Sequence, residues 1–243
     1  MATQALFYKQ VVPVSLDAHA DLCVDTRAGY AFCRNSNFVP LAGVEFEKAA
    51  WHFPIVFVEQ DASFVPAAIL GFGQHDNLYV DDDGQWASEY IPGYVRRYPF
   101  ILANVSEAQT FTLCIDPTYA GCNTSDEGER LFLLGGARSG YLERMLAFVQ
   151  QYHAEQRATA QFCEVLKSLE LLEPMQAQVA LNSGEKIALS GFCTVSRERL
   201  QAISAEELAR LGSSSALEQI FLHLFSLANF GPMLDRHARR SGS

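Results

Sequence analysis

The hydrophobic period of this chain changes at Ser139, and that change constrains the fold more than any motif does. Upstream, the apolar residues come in short runs rich in aromatic and β-branched side chains: YAFC (30–33), WHFPIVFV (51–58), FVPAAILGF (64–72), NLYVD (77–81), FILANV (100–105) and FTLCID (111–116). Such runs read as strands. The stretch 39–50 reads instead as a short helix that turns Phe46, Ala49 and Ala50 toward the core. Asp83-Gly84, between NLYVD and QWASEY, is a tight-turn signal that predicts a hairpin, and short connections of this kind favour antiparallel pairing over a doubly wound sheet.

Downstream, Leu142, Met145, Leu146, Val149 and Tyr152 recur at helical spacing, and Phe162, Val165, Leu166, Leu169 and Leu172 resume it. Ser139 is the expected N-cap and Pro174 the expected stop. The polar middle, HAEQRATAQ (153–161), allows either one helix of roughly 50 Å at about 1.5 Å per residue or a bend there. A hairpin follows (177–181, turn NSGE at 182–185, then 186–195), then a helix opened by Ser196. Ser204 and Glu207 form a capping box. A last helix over 216–229 is expected to bury Ile220, Phe221, Leu224 and Leu227 until Gly231-Pro232 interrupts it. The pattern predicts one α+β domain over 1–236, a largely antiparallel sheet from the N-terminal half packed against C-terminal helices and a β-hairpin. Residues 237–243 read as a frayed basic and Ser-Gly tail.

Composition narrows the function. The 243 residues carry 18 Lys+Arg against 28 Asp+Glu, a formal charge of −10, and are 49% hydrophobic but only 19% charged. That balance excludes disorder and argues against nucleic acid as a partner. No apolar run approaches the 18 or so residues of a spanning helix, and MATQALFYKQ has no apolar run behind its single Lys, so a soluble, cytoplasmic protein is expected. Cys23, Cys33, Cys114, Cys122, Cys163 and Cys193 form no C-x-x-C, so free thiols and no metal are expected.

Several motif-like stretches have a plainer structural reading. Residues 79–84 imitate a calcium loop but place Tyr79 and Tyr90 where its first and twelfth ligands belong, so a solvated turn is the better reading. Gly71-Phe72-Gly73 lacks the third glycine and the helix of a dinucleotide fingerprint. The glycine-rich loop 134–140 opens onto a helix but lacks the Lys-Ser/Thr ending of a phosphate loop. No esterase elbow, zinc-protease pair or iron triad is present, so catalytic residues stay unassigned and no cofactor is expected. His223 reads as a structural histidine. His75 beside Asp76 is a secondary candidate. The informative stretch is Trp86 to Phe100, where Trp86, Tyr90, Tyr94 and Tyr98 surround Arg96 and Arg97. Arg and aromatic side chains together compose binding hot spots. The alternative is that the rings pack the core while the arginines pair with internal acids such as Glu89.

A run of ordered matches extends this reading. Tyr8-Lys9, Val11-Val12-Pro13, Tyr30-Ala31-Phe32, Val39-Pro40-Leu41, Glu45-Phe46 and Pro54-Ile55-Val56-Phe57 are followed by a dense block from Asn77 through Gly84, Trp86 and Tyr90-Ile91-Pro92 to Arg96-Arg97-Tyr98-Pro99-Phe100. Leu113-Cys114-Ile115-Asp116, Gly191-Phe192, His223-Leu224 and Ser226-Leu227 close it. Over nearly its whole length the chain resembles the SapC family, bacterial proteins named after an S-layer-associated protein. It departs at Gly93, where Ala is usual, and at Pro117, where an acid is common. The resemblance implies a link to surface layers or to uptake or modification of a peptide, and a neighbourhood of halogenase-like and cupin-like oxidative enzymes. It transfers no catalytic residues. Two functions follow: an accessory protein that binds a peptide, a partner protein or a carboxylate-bearing small molecule, or an enzyme acting with such an oxidative neighbour. Oligomeric state is left open.

Overall fold

The computed structural model describes residues 6–73, 75–104, 111–180 and 186–241. The strands are β1 (Val12–Pro13), β2 (Cys23–Val24), β3 (Phe38–Pro40), β4 (Ile55–Gln60), β5 (Ser63–Ile69), β6 (Phe100–Asn104), β7 (Phe111–Ile115), β8 (Cys122–Asn123), β9 (Glu129–Arg130), β10 (Leu172–Ala180) and β11 (Lys186–Val195). The helices are α1 (Leu16–His19), α2 (Phe46–Ala49), α3 (Gly93–Arg96), α4 (Gly140–Ser168), α5 (Arg197–Ala202), α6 (Ala205–Gly212), α7 (Ala216–Ser226) and α8 (Phe230–Ser241). The strands form a five-stranded sheet in the order β10-β11-β4-β5-β3 and two three-stranded sheets, β1-β7-β6 and β8-β2-β9. Every pairing is antiparallel, so the chain is α+β as its pattern predicts.

Helix α4 joins the two cores. Its first turns bury Leu142 and Val149 in a cluster with Tyr8, Tyr98, Phe100 and Ile115, and its later turns bury Phe162, Cys163 and Leu166 among Phe46, Phe57 and Ile220. Ser139 caps it, Oγ accepting from Leu142 N–H at 3.2 Å. The helix runs unbroken through its polar middle because a partner docks there. The turn carrying Gly43 donates its N–H to Thr159 Oγ1 at 2.8 Å. Phe46, Ala49 and Ala50 are fully buried as expected.

Several local readings are corrected. Residues 31–33 form a 3-10 turn, not a strand. Asp81–Gly84 does turn, with Gly84 N–H donating to Asp81 O at 3.0 Å and φ +79° at Gly84. The flanks pair antiparallel at the Val80–Trp86 bridge alone, through Asp81 N–H to Gln85 O at 3.0 Å and Ala87 N–H to Tyr79 O at 2.8 Å, so the hairpin is one bridge long and has no extended strands. Pro174 lies within β10 rather than after α4; β10 is an edge strand, where a missing donor is tolerated. The β10–β11 hairpin is present, but its turn at 182–185 lies outside the described residues, as do Val105 and Leu181.

At the C-terminus, α7 ends at Ser226 and a 3-10 turn follows, so Gly231-Pro232 sits in the first turn of α8, where proline needs no donor. Phe221, expected in the core, is 53% exposed, whereas His223 and Ser226 are buried. Residues 237–241 are helical rather than frayed. Arg240 Nη1 donates to Asn77 O at 2.8 Å, and Arg236 lies 4.8 Å from the Tyr79 ring. The basic end of the chain is therefore a clamp on the loop at 76–82. No described helix is long and apolar enough to cross a membrane.

Candidate functional site

The segment from Trp86 to Phe100 lies where the two cores meet, and Pro92 starts α3 within it. Consecutive residues on a helix point about 100° apart, so Arg96 and Arg97 cannot face the same way. Arg97 turns inward. Its guanidinium carbon lies 4.0 Å from the Tyr94 ring centroid, 5.1 Å from that of Tyr152 and 5.8 Å from that of Tyr8. Burial alone would lower its pKa, but Tyr8, Tyr152 and Tyr94 around it more than offset that, so the pKa is raised and the cation is kept. Arg96 turns outward, 5.1 Å from the Phe148 ring and 6.0 Å from that of Tyr90. Among the described residues neither arginine has a carboxylate within 4.0 Å, so the alternative pairing with an acid such as Glu89 is not formed there.

Glu45 holds the segment in place. It is 6% exposed. Its Oε1 accepts from Tyr90 Oη at 2.7 Å and Gly93 N–H at 2.6 Å, and its Oε2 accepts from Ala42 N–H at 2.8 Å. A Cβ at Gly93 would stand 3.0 Å from the Tyr152 ring and 3.2 Å from Glu45 Oε1, so alanine here requires the Tyr152 ring to give way.

At the other end, Tyr98 stacks on Phe32 with centroids 4.2 Å apart, and its hydroxyl donates to Asp116 Oδ2 at 3.3 Å. Asp116 is fully buried and also accepts from Lys9 N–H at 2.7 Å and from Thr118 Oγ1 at 2.6 Å. Burial pushes its carboxyl up, but the bonds from Thr118 and Lys9 outweigh this and hold it below the usual carboxylate range.

Between these anchors is a cleft of about 140 Å³. Arg96 lines it together with Tyr98, Tyr30, Phe32, Tyr119 and Tyr141. Burial pushes Tyr98 and Tyr141 well above the usual phenol range and Tyr119 up to about 12, so these phenols stay protonated near neutral pH. Tyr98 and Tyr119 spend their protons inside the protein, on Asp116 Oδ2 and on Gly29 O at 3.4 Å, so the charged group turned to the cleft is the Arg96 guanidinium, which suits it to hold an anion.

Of the sequence-predicted residues, Arg96 and Tyr98 line this cleft. Tyr90 lies beneath Arg96, while Tyr94 and Arg97 are packed inside. Trp86 donates Nε1–H to Tyr90 O at 2.8 Å and stacks on Tyr79, away from the cleft. His75 is exposed at a distance, and Asp76 lies 3.7 Å from both Arg240 and His237. The walls from Tyr30, Tyr119 and Tyr141 and the anchors Glu45 and Asp116 were missed as site residues. Only the aromatic density at Tyr30-Ala31-Phe32 hinted at them.

A family model described as SapC matches residues 14–233. The chain belongs to the SapC family. No curated protein and no solved structure matches it. The match spans both cores of this SapC family member and takes in Glu45, the 86–100 segment and Asp116, so the cleft and its anchors all lie within the family's matched region.

Proposed function

We propose that this SapC family member is a binding protein that captures a carboxylate-bearing end group, of a peptide, a partner protein or a small molecule, at Arg96. The observation that carries the reading is an exposed guanidinium, without an acid partner among the described residues, at the mouth of a cleft lined by protonated phenols. A guanidinium binds carboxylate bidentately, and the rings supply apolar contact. Size sets the ligand class. An apolar cavity of about 150 Å³ takes up one benzene, so 140 Å³ admits a single side chain or end group rather than a whole substrate.

N-acetyl-phenylalanine and its amide, which differ only in the carboxylate, test this by calorimetry. The acid should bind, and the amide should bind at least tenfold more weakly. Arg96→Ala should weaken the acid by about 2 kcal/mol, roughly 30-fold, with an unchanged melting temperature. Arg97→Ala, by contrast, should lower the melting temperature, because it empties the tyrosine cage. Equal affinity for acid and amide, or an Arg96→Ala variant that binds as well as the parent, would refute the reading.

The same proposal places the protein in a reducing compartment, the cytoplasm. All six cysteines are free thiols, and burial pushes Cys33 and Cys163 up to about 12. Protein taken from its native cells and unfolded without reductant should show six reactive thiols, and the folded protein should react slowly. A count of four or fewer would place it in an oxidising compartment.

A further inference from the structure

A helix that is apolar on two faces is expected to be buried on both. Helix α7 buries one face through Ile220, His223 and Leu224. Its other face carries Phe221 at 53% and Phe225 at 49% exposure, with Glu218 and Leu222 on the same side. The neighbouring turn and α2 continue this surface. Val44 is 62% exposed and Trp51 68%, and the Trp51 and Phe225 rings meet edge to face at 5.1 Å. Three aromatics at roughly half exposure give on the order of 300 Å² before the aliphatic groups are added, the size of the largest patch on a typical monomer.

Beside this patch a groove of about 560 Å³ runs between α4 and α7. Phe162, Val165 and Leu222 floor it, and among the described residues its ionisable lining groups are Glu47, Glu155 and Glu218. The Gln219 side chain lines the groove, its Oε1 shut off from solvent and without a hydrogen-bond partner among the described residues. Carboxylates around an apolar floor call for a partner that carries positive charge at its edge.

We propose that this face is a docking surface for a basic amphipathic helix of a partner protein. Apolar residues at i, i+3, i+4 and i+7 would cover Trp51, Phe221 and Phe225. Lysine or arginine at the helix edge would meet Glu47, Glu155 and Glu218. A second copy of this chain would set the same three carboxylates against themselves, and an anionic membrane would meet the same repulsion, strengthened by the net charge of −10. The surface stands apart from the Arg96 cleft and does not depend on it.

The test uses two synthetic 18-residue helical peptides, one with leucine on one face and lysine on the other, one with glutamate replacing lysine. Calorimetry on the full chain should detect the lysine peptide and not the glutamate peptide. Glu47→Lys with Glu218→Lys should weaken binding at least tenfold more than Glu127→Lys with Glu198→Lys, which changes net charge equally at a remote surface. Phe221→Ser with Phe225→Ser should abolish it while keeping the melting temperature, since both side chains are half exposed. Several results would overturn the proposal: no binding of the lysine peptide, equal weakening by the two charge reversals, or equal binding of both peptides. A dimer dissociated by the Phe→Ser pair would assign the face to self-association, and anionic vesicles captured through the same face would assign it to lipid.

Discussion

Replacing His223 with alanine should destabilise the fold by about 3–5 kcal/mol at pH 7.5 and remove most of its acid sensitivity above pH 4. His223 is fully buried on α7 and stands between two strands that diverge. Strands β4 and β11 pair at Cys193 and Phe57. Beyond that, the imidazole bridges them: Val195 N–H of β11 donates to Nε2 at 3.0 Å, and Nδ1 lies 2.8 Å from Ile55 O of β4. Since Nε2 accepts, the proton sits on Nδ1 and donates to Ile55 O. Ser226, one turn on, accepts from Ile55 N–H at 2.9 Å. The helix thus stands in for a missing rung of the sheet. Alanine would leave a buried N–H and a buried C=O unpaired and open a cavity.

The pH dependence follows from the same geometry. Burial lowers the His223 pKa to about 4, with the Ile55 carbonyl opposing and Arg197 assisting. Protonation would also deprive Val195 N–H of its acceptor. The folded pKa lies below the unfolded value near 6.5, so between about pH 6.5 and 4 the unfolded chain takes up a proton that the folded chain refuses. Stability is full above that window and falls through it, by about 2 kcal/mol at pH 5 and about 3 kcal/mol when complete. Urea unfolding of the parent and of His223→Ala at pH 7.5 and pH 5 measures both effects. A variant that loses as much stability between the two pH values as the parent does would show that His223 is not the group responsible.

What the sequence made legible was local. Ser139, Ser196 and Ser204 announce their helices through side chains that cap within three residues, and each does so in the fold. The β10–β11 hairpin and the strands at 55–60, 63–69 and 111–115 follow from short runs of apolar, aromatic and β-branched residues broken by turn signals. The end of α4 was not legible, because a non-glycine residue makes it. Glu170 adopts φ +50°, with Glu170 N–H bonded to Lys167 O at 3.0 Å and Leu171 N–H to Leu166 O at 3.0 Å. That is a Schellman stop without its usual glycine. The turn at Tyr30–Cys33 was misread because aromatic content marks strands and aromatic clusters alike. Here Tyr30 and Phe32 pack on Trp86 and Tyr98, far along the chain. The site divides in the same way. Composition located the segment 86–100, but which arginine turns inward depends on Tyr8 and Tyr152, partners that no local pattern connects to Arg97.

Glu45→Ala should be the most damaging change near the cleft, costing about 3–5 kcal/mol, while Glu45→Gln should cost about 1–3 kcal/mol. In the sequence Glu45 is one residue of a short helical stretch and of the Glu45-Phe46 family match, yet three donors converge on it: Ala42 N–H, Gly93 N–H and Tyr90 Oη. Alanine strands all three in the protein interior. Glutamine keeps an acceptor for Tyr90 and Gly93 but turns an NH2 group toward Ala42 N–H, setting donor against donor. The same contacts tie the turn before α2 to the start of α3, and so fix the direction in which Arg96 leaves the helix. Unfolding experiments should therefore rank parent, Gln and Ala in that order. The folded Gln variant should also bind N-acetyl-phenylalanine less tightly than the parent, although Glu45 does not line the cleft. If Glu45→Gln lost stability while its affinity stayed at the parental value, Glu45 would be a strut for the fold alone and the position of Arg96 would be set elsewhere.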